Sequence, residues 1–380
     1  FEDLDKIPSP YTTGLMDHWF NGHCAPLLQT TRGCPFSCGY CFAGQAWCSH
    51  ITRFSVDRIK QELSYIAERM TEYPGIYLGL CDANFGMYEQ DEEIAIHIRY
   101  LQDTYHWPNS FEVTTGKQHY DRIIRIAAQL HDKLWVTCSM QSLNRETLKI
   151  IKRVNIPMDQ YAQMQEEIKT KGMVSTAELI TPMPEETRES YFMGVKRLLE
   201  SGVERVITYT TMLLKSTYLD SEECRKKYNY MTKFRIIPRQ FGEYCGEKCF
   251  EVEEVCVATN TMSIQDYLEC RGFAFISGII SSEEYDIIRR HIKENNINIY
   301  NFLSELWMLI KDGKTECSYI YDNFLEETQR ELQESKESIC EFYSQADNYE
   351  KLLRGELGDN LMRKYETQMF LKGCVDLINK

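Results

Sequence analysis

Apolar residues recur along this chain in two alternating rhythms. Between residues 25 and 212, short apolar runs alternate with stretches in which apolar residues return every three or four positions. Residues 25–31 ("APLLQTT") predict a first strand, and 55–70 ("SVDRIKQELSYIAERM") an amphipathic helix with Ser55 as its N-cap. Five more strands are predicted at 75–83 ("GIYLGLCDA"), 110–116 ("SFEVTTG"), 133–140 ("KLWVTCSM"), 174–181 ("VSTAELIT") and 203–212 ("VERVITYTTM"). Helical periods fall between them at 91–102, 120–130, 144–153 and 187–201. Six strands alternating with helices predict parallel βα units, hence an α/β fold in the form of a partial barrel.

The alternation lapses beyond about residue 230. Residues 281–295 ("SSEEYDIIRRHIKEN") form a well-capped helical pattern, and Leu325, Leu332 and Ile339 follow at seven-residue steps, which suits helical packing. Residues 1–25 carry turn chemistry ("IPSPY") without a clear period. The expected organisation is a lead-in over 1–25, a barrel core over 26–230 and a mainly helical C-terminal domain over 231–380.

Composition narrows the field. With 380 residues and 43% hydrophobic content, the chain can bury a sizeable core. A net charge of −14 argues against broad nucleic-acid binding, which needs a basic surface. No run of 18 apolar residues exists, so no membrane partner is expected. Fifteen cysteines in a chain of this length suit a reducing, cytoplasmic compartment and metal chemistry better than a disulfide scaffold.

Three of those cysteines stand in "TTRGCPFSCGYCFAG" (30–44), spaced C-x3-C-x2-C as Cys34, Cys38 and Cys41, just past the first strand. In a barrel of βα units that is where working residues gather. Chance predicts such a triad only about 0.02 times per chain of this composition. Thiolates at this spacing point to zinc or to iron–sulfur. Zinc needs a fourth ligand, for which Cys24, Cys48 or His50 are candidates, and no second cysteine pair lies at normal spacing. Three thiolates on a four-iron cube leave one iron open for a substrate.

The triad, with Tyr40 directly before its last cysteine, resembles the signature of the radical S-adenosylmethionine enzymes. The resemblance implies a 4Fe–4S cluster on Cys34, Cys38 and Cys41 whose open iron chelates S-adenosylmethionine. It also implies reductive cleavage to methionine and a hydrogen-abstracting 5′-deoxyadenosyl radical. Segments 5–17, 80–95, 139–153, 177–190, 213–235 and 257–271 resemble the cobalamin-binding branch, over roughly residues 5 to 275. By that resemblance Tyr40 lies by the adenine, and Asp82 and Asn84 near the methionine amino group. Ser139, Gln141 and Glu178 would contact ribose or the methionine moiety. The alternative for each is a helix cap or a loop-amide partner. Pro182, Glu185 and Lys215 depart from the branch, which often has glycines there. No D-x-H-x-x-G motif occurs, so cobalamin is expected through a domain upstream of Phe1, outside this chain.

The function expected from this is that of a cobalamin-linked methyltransferase-type enzyme acting on a small molecule or peptide, reduced by a donor such as flavodoxin or ferredoxin. A cobalamin-free epimerase, oxidase or methylthiotransferase is the alternative among enzymes, and a zinc-stabilised interaction protein the alternative outside them. Cys245, Cys249 and Cys256 match no defensible cluster spacing and are expected to be ordinary thiols. The acidic runs "LDSEEC" and "EVEEV" are expected to be solvated faces.

Overall fold

The computed structural model describes residues 3–131, 133–134, 136–358 and 361–378. Phe1, the expected junction with an upstream domain, and Trp135, within the fourth predicted strand, lie outside that set. Contacts divide the chain into two compact units, residues 1–139 with 155–177, and residues 140–154 with 178–380.

In the first unit, strands β1 (Leu27–Leu28), β4 (Leu78–Phe85) and β5 (Phe111–Thr115) form a parallel sheet in the order β1-β4-β5. A short antiparallel ribbon, β2 (Thr31–Arg32) with β3 (Thr52–Arg53), brackets the cysteine segment. Helix α1 (Val56–Met70) begins at Ser55, whose hydroxyl accepts from the Arg58 N–H at 3.2 Å, as the sequence predicts. Its Ile59, Leu63, Ile66 and Met70, three or four apart, are fully buried. Helices α2 (Glu89–Tyr105) and α3 (Tyr120–Gln129) follow β4 and β5. Strand β6 (Val136–Thr137) pairs in parallel with the first residues of β7 (Ser175–Thr181), and the Thr115 hydroxyl donates to the Thr137 carbonyl at 3.1 Å.

The second unit carries the rest of β7, strand β8 (Arg205–Thr210) beside it, and helices α4 (Arg145–Ile150) and α6 (Arg188–Glu200). The six predicted strands correspond to β1, β4, β5, β6, β7 and β8, in two three-stranded sheets of order β1-β4-β5 and β6-β7-β8. Helix α5 (Met158–Thr170), in the first unit, buries Tyr161, Met164 and Ile168 and is absent from the sequence reading. After α7 (Glu222–Lys227) comes a long antiparallel hairpin, β9 (Met231–Tyr244) and β10 (Glu247–Ala258), turning through Cys245 and Gly246 at positive φ. Helices α8 (Ile264–Ile280), α9 (Asp286–Glu294), α10 (Ile299–Lys311), α11 (Ser318–Arg330), α12 (Lys336–Ser344), α13 (Ala346–Leu353) and α14 (Leu361–Ile378) complete it. Buried α8 is the centre of this unit: Phe275 stacks on Phe324 at 4.3 Å, and Gly272 lets the Tyr321 ring press against its backbone.

The acidic runs are not merely solvated. Arg225 donates to both Glu254 carboxylate oxygens at 2.6 and 2.8 Å and to Asp220 at 2.6 Å, all three largely shielded from solvent. Lys215, at one of the departures from the branch pattern, adds an exposed ammonium 3.2 Å from Asp220. Hydrogen bonding to Arg225 holds the Glu254 carboxyl below its ordinary value of 4.5 against its partial burial. A lowered folded-state value means the unfolded chain binds more protons, so this stabilisation is complete above about pH 4.5 and disappears as pH falls through the lowered value. Arg225→Ala strands two carboxylates and should cost about 2–4 kcal/mol at neutral pH, read as a lower urea midpoint. The deficit should shrink in acid; an equal deficit at pH 3 and pH 7 would contradict the assignment.

Candidate functional site

The cysteine segment folds back on itself because two glycines permit it. At Gly33 (φ +97°) a Cβ would sit 2.4 Å from the His50 carbonyl oxygen, and at Gly44 one would sit 2.3 Å from that of Cys38. The Cys34 N–H donates to the Cys48 carbonyl at 2.8 Å, and the Cys41 N–H to that of Cys38 at 3.1 Å. Cys34 and Cys38 are thereby buried and Cys41 half-buried, all three as free thiols. Tyr40, half-buried, lies on the same loop.

Asp82 fixes the entrance to this loop. Its carboxylate accepts the Thr30 N–H at 3.0 Å, the Thr30 hydroxyl at 2.7 Å and the Thr31 N–H at 2.6 Å. Burial raises the Asp82 carboxyl above its usual range while these donors pull it back. Two residues on, the Asn84 amide donates to the Cys34 sulfur at 3.3 Å, and its buried carbonyl oxygen has no partner. Lys117, beyond the end of β5, brings its ammonium to 3.8 Å from the Cys38 sulfur. Sequence reading missed Lys117: a lone lysine after a strand carries no signal of its tertiary neighbour.

This donor set suits sulfurs that carry negative charge, as cluster thiolates do. Among the described residues, no three His, Cys, Asp or Glu side chains are gathered around a single ion position. In a cube each thiolate binds a different iron.

The other predicted residues divide between the units. Ser139 is half-buried after β6, in the first unit with Cys34, Asp82 and Asn84. Gln141 and Glu178 belong to the second, where the Gln141 N–H donates to the Glu178 carbonyl and its own carbonyl accepts from Ile180, both at 2.8 Å. Gln141 adopts φ +64°, and the Glu178 carboxylate accepts from the Tyr209 hydroxyl at 3.5 Å. Burial, reinforced by the Glu178 charge, raises the Tyr209 hydroxyl above its usual value. Tyr209 was invisible in the sequence among 24 tyrosines.

Pro182 and Glu185 stand in a turn latched to α4. The Thr147 hydroxyl donates to the Pro184 carbonyl at 2.7 Å and the Asn144 amide to that of Glu185 at 2.8 Å. Buried Glu186 accepts from the Ser142 and Ser190 hydroxyls. Cys245, Cys249 and Cys256 cannot share a cluster: seven residues of extended strand separate the last two by about 23 Å. Cys256 is buried, donates to the Ala258 carbonyl at 3.2 Å, and burial pushes its thiol up to about 12.

Residues 28–193 match the Radical SAM superfamily. The chain is 32% identical over 284 residues to the 2-(S-pantetheinyl)-carbapenam-3-carboxylate methyltransferase of Streptantibioticus cattleyicolor, covering 70% of this chain and 40% of that protein. It is 31% identical over 292 residues to the cobalamin-dependent radical SAM methyltransferase TokK of Streptomyces tokunonensis, covering 73% and 41%. It thus spans about two fifths of the length of these curated relatives. Among solved structures, OxsB with aqua-cobalamin and S-adenosylmethionine is similar at TM-score 0.43 and 14% identity, covering 96% of this chain and 60% of that one. TsrM of Kitasatospora setae is similar at TM-score 0.46 and 12% identity, covering 58% and 42%. The cysteine triad lies inside the matched region, so the chain carries a domain of the Radical SAM superfamily within residues 28–193.

Proposed function

We propose that this chain is the catalytic part of a cobalamin-linked, methyltransferase-type radical SAM enzyme acting on a small molecule or peptide. The observation that carries the radical chemistry is the set of hydrogen-bond donors around two buried thiols, Asn84 at Cys34 and Lys117 at Cys38. Both curated relatives are methyltransferases, which supports the reaction class. Cobalamin would come through a domain outside residues 1–380, since the D-x-H-x-x-G motif does not occur within them.

Cys34, Cys38 and Cys41 would hold a 4Fe–4S cluster. Bound there, it supplies the electron for reductive cleavage of S-adenosylmethionine. Asn84 and Lys117 would stabilise negative charge on the sulfurs, each through a charge-assisted contact. Asp82, its carboxylate already committed to three donors, acts as a positioning residue for the loop. Tyr40, Ser139, Gln141 and Glu178 would bind and orient the cosubstrate, with Tyr209 holding the Glu178 carboxylate. Asn84 can also offer its unpartnered carbonyl oxygen to an amino group.

Asp82→Ala leaves the Thr30 and Thr31 amides unpaired, each worth about 1–3 kcal/mol, so iron retained after desalting should fall with the thermal midpoint. Asn84→Ala should keep its iron but lower the cluster's midpoint potential by about 40 mV, the equivalent of about 1 kcal/mol lost from the reduced state. An unchanged potential would remove the amide from the sulfur. Gln141→Ala and Glu178→Ala should each weaken S-adenosylmethionine binding by about 1–3 kcal/mol with iron intact. Full affinity in both would remove them from the cosubstrate site.

A further inference from the structure

Helix α8 buries one charged side chain, and among the described residues no carboxylate is bonded to it. Arg271 is 7% exposed, in a helix whose other buried residues are uncharged. Its Nη1 donates to the Met362 sulfur at 3.8 Å, a weak acceptor, and its Nε has no hydrogen-bond partner. The Phe324 ring centroid lies 5.7 Å from the guanidinium carbon. Two carboxylates of this region, Glu253 and Glu331, pair with Arg235 instead, at 2.5 and 3.5 Å. A buried guanidinium without an acceptor weakens a fold, whereas an apolar side chain at the same place would not.

Arg271 lines a cavity of about 170 Å³ within the second unit. Ile207, Ile236, Pro238, Leu361 and Met362 supply apolar wall, and Arg235 and Glu331 also line it. Another wall is Tyr209, 48% exposed, whose hydroxyl meets the Glu178 carboxylate at 3.5 Å. In a guanidinium, Nε and Nη2 form one edge with two parallel N–H groups, spaced to match the two oxygens of a carboxylate. The Met362 contact uses Nη1, outside that edge. Burial raises the Glu331 carboxyl against the pull of Arg235 and Arg271. A ligand with one negative charge balances Arg271, while a second charge would repel Glu331 at low dielectric.

We propose that this cavity binds a small monocarboxylate, its carboxylate on the Nε–Nη2 edge of Arg271 and its short apolar chain against Ile207, Ile236 and Met362. Binding there needs neither a cluster nor S-adenosylmethionine. Through Tyr209 the occupant lies one side chain from Glu178.

The probe is butyrate, with butanamide as its uncharged counterpart, titrated against the reconstituted chain at constant ionic strength and read by saturation-transfer NMR. Butyrate should bind saturably with a Kd on the order of 1–10 mM, and butanamide about tenfold more weakly or worse. Acetate, which lacks the chain to fill the apolar wall, should bind about fivefold more weakly than butyrate. Arg271→Gln should weaken butyrate about tenfold or more, and Arg271→Lys, which keeps the charge without the fork, by about threefold. Arg290→Gln, exposed on α9, should leave the butyrate Kd unchanged. Equal binding of butyrate and butanamide overturns the proposal, as does the absence of saturable butyrate binding below about 50 mM. Unchanged butyrate affinity in Arg271→Gln overturns it as well. Inorganic phosphate binding more tightly than butyrate would overturn the assignment to a singly charged carboxylate. If Arg271→Gln does not fold, the wild-type comparison of butyrate with butanamide decides alone.

Discussion

The candidate centre depends on one carboxylate and the backbone it holds. Asp82 accepts three hydrogen bonds from Thr30 and Thr31, at the point where the chain leaves β1 for the cysteine loop. Three thiols can serve one cluster only if the loop enters in a fixed direction. Gly33 and Gly44 then let it close tightly enough to bury Cys34 and Cys38. Because Asn84 lies two residues beyond Asp82 on β4, the same strand that fixes the entrance also delivers an amide to the Cys34 sulfur. Support of the loop and tuning of its ligand are therefore coupled through one strand.

The second unit uses buried charge differently. Arg225 joins Asp220 to Glu254, tying the segment before α7 to the hairpin strand β10. Arg235 on β9 likewise pairs with Glu253 at 2.5 Å. Such pairs add little net energy but penalise any arrangement that separates them, which keeps a long hairpin in register. The turn at Pro182–Glu186 is organised by its own hydrogen bonds to α4, so the glycines expected there from the branch are replaced by a latch.

Much of this was legible in the sequence. The cysteine spacing, the Ser55 cap and the six strands β1, β4, β5, β6, β7 and β8 follow from local pattern. What stayed hidden has physical reasons. Helix α8 is apolar on nearly every side, so it has no amphipathic period to find. The hairpin is charged on both faces and interrupted by Pro238, which lies in the irregular stretch where the register shifts between Phe250 and Val252. Asp82 and Asn84 could be named as strand-end polar residues, but whether each serves the loop or a ligand is decided by neighbours some fifty residues away. Lys117 and Tyr209 belong to the same class, since only tertiary structure gives them partners.

The central claim is that Cys34, Cys38 and Cys41 hold a four-iron cluster and not a single zinc. Anaerobic reconstitution of residues 1–380, with iron, sulfide and zinc measured per chain after desalting, tests it most directly. The account predicts about four irons and about four sulfides in wild type, lost on changing any one of the three cysteines to Ala and retained in Cys249→Ala. About one zinc per chain, or iron that survives removal of Cys34, Cys38 and Cys41 alike, would contradict it.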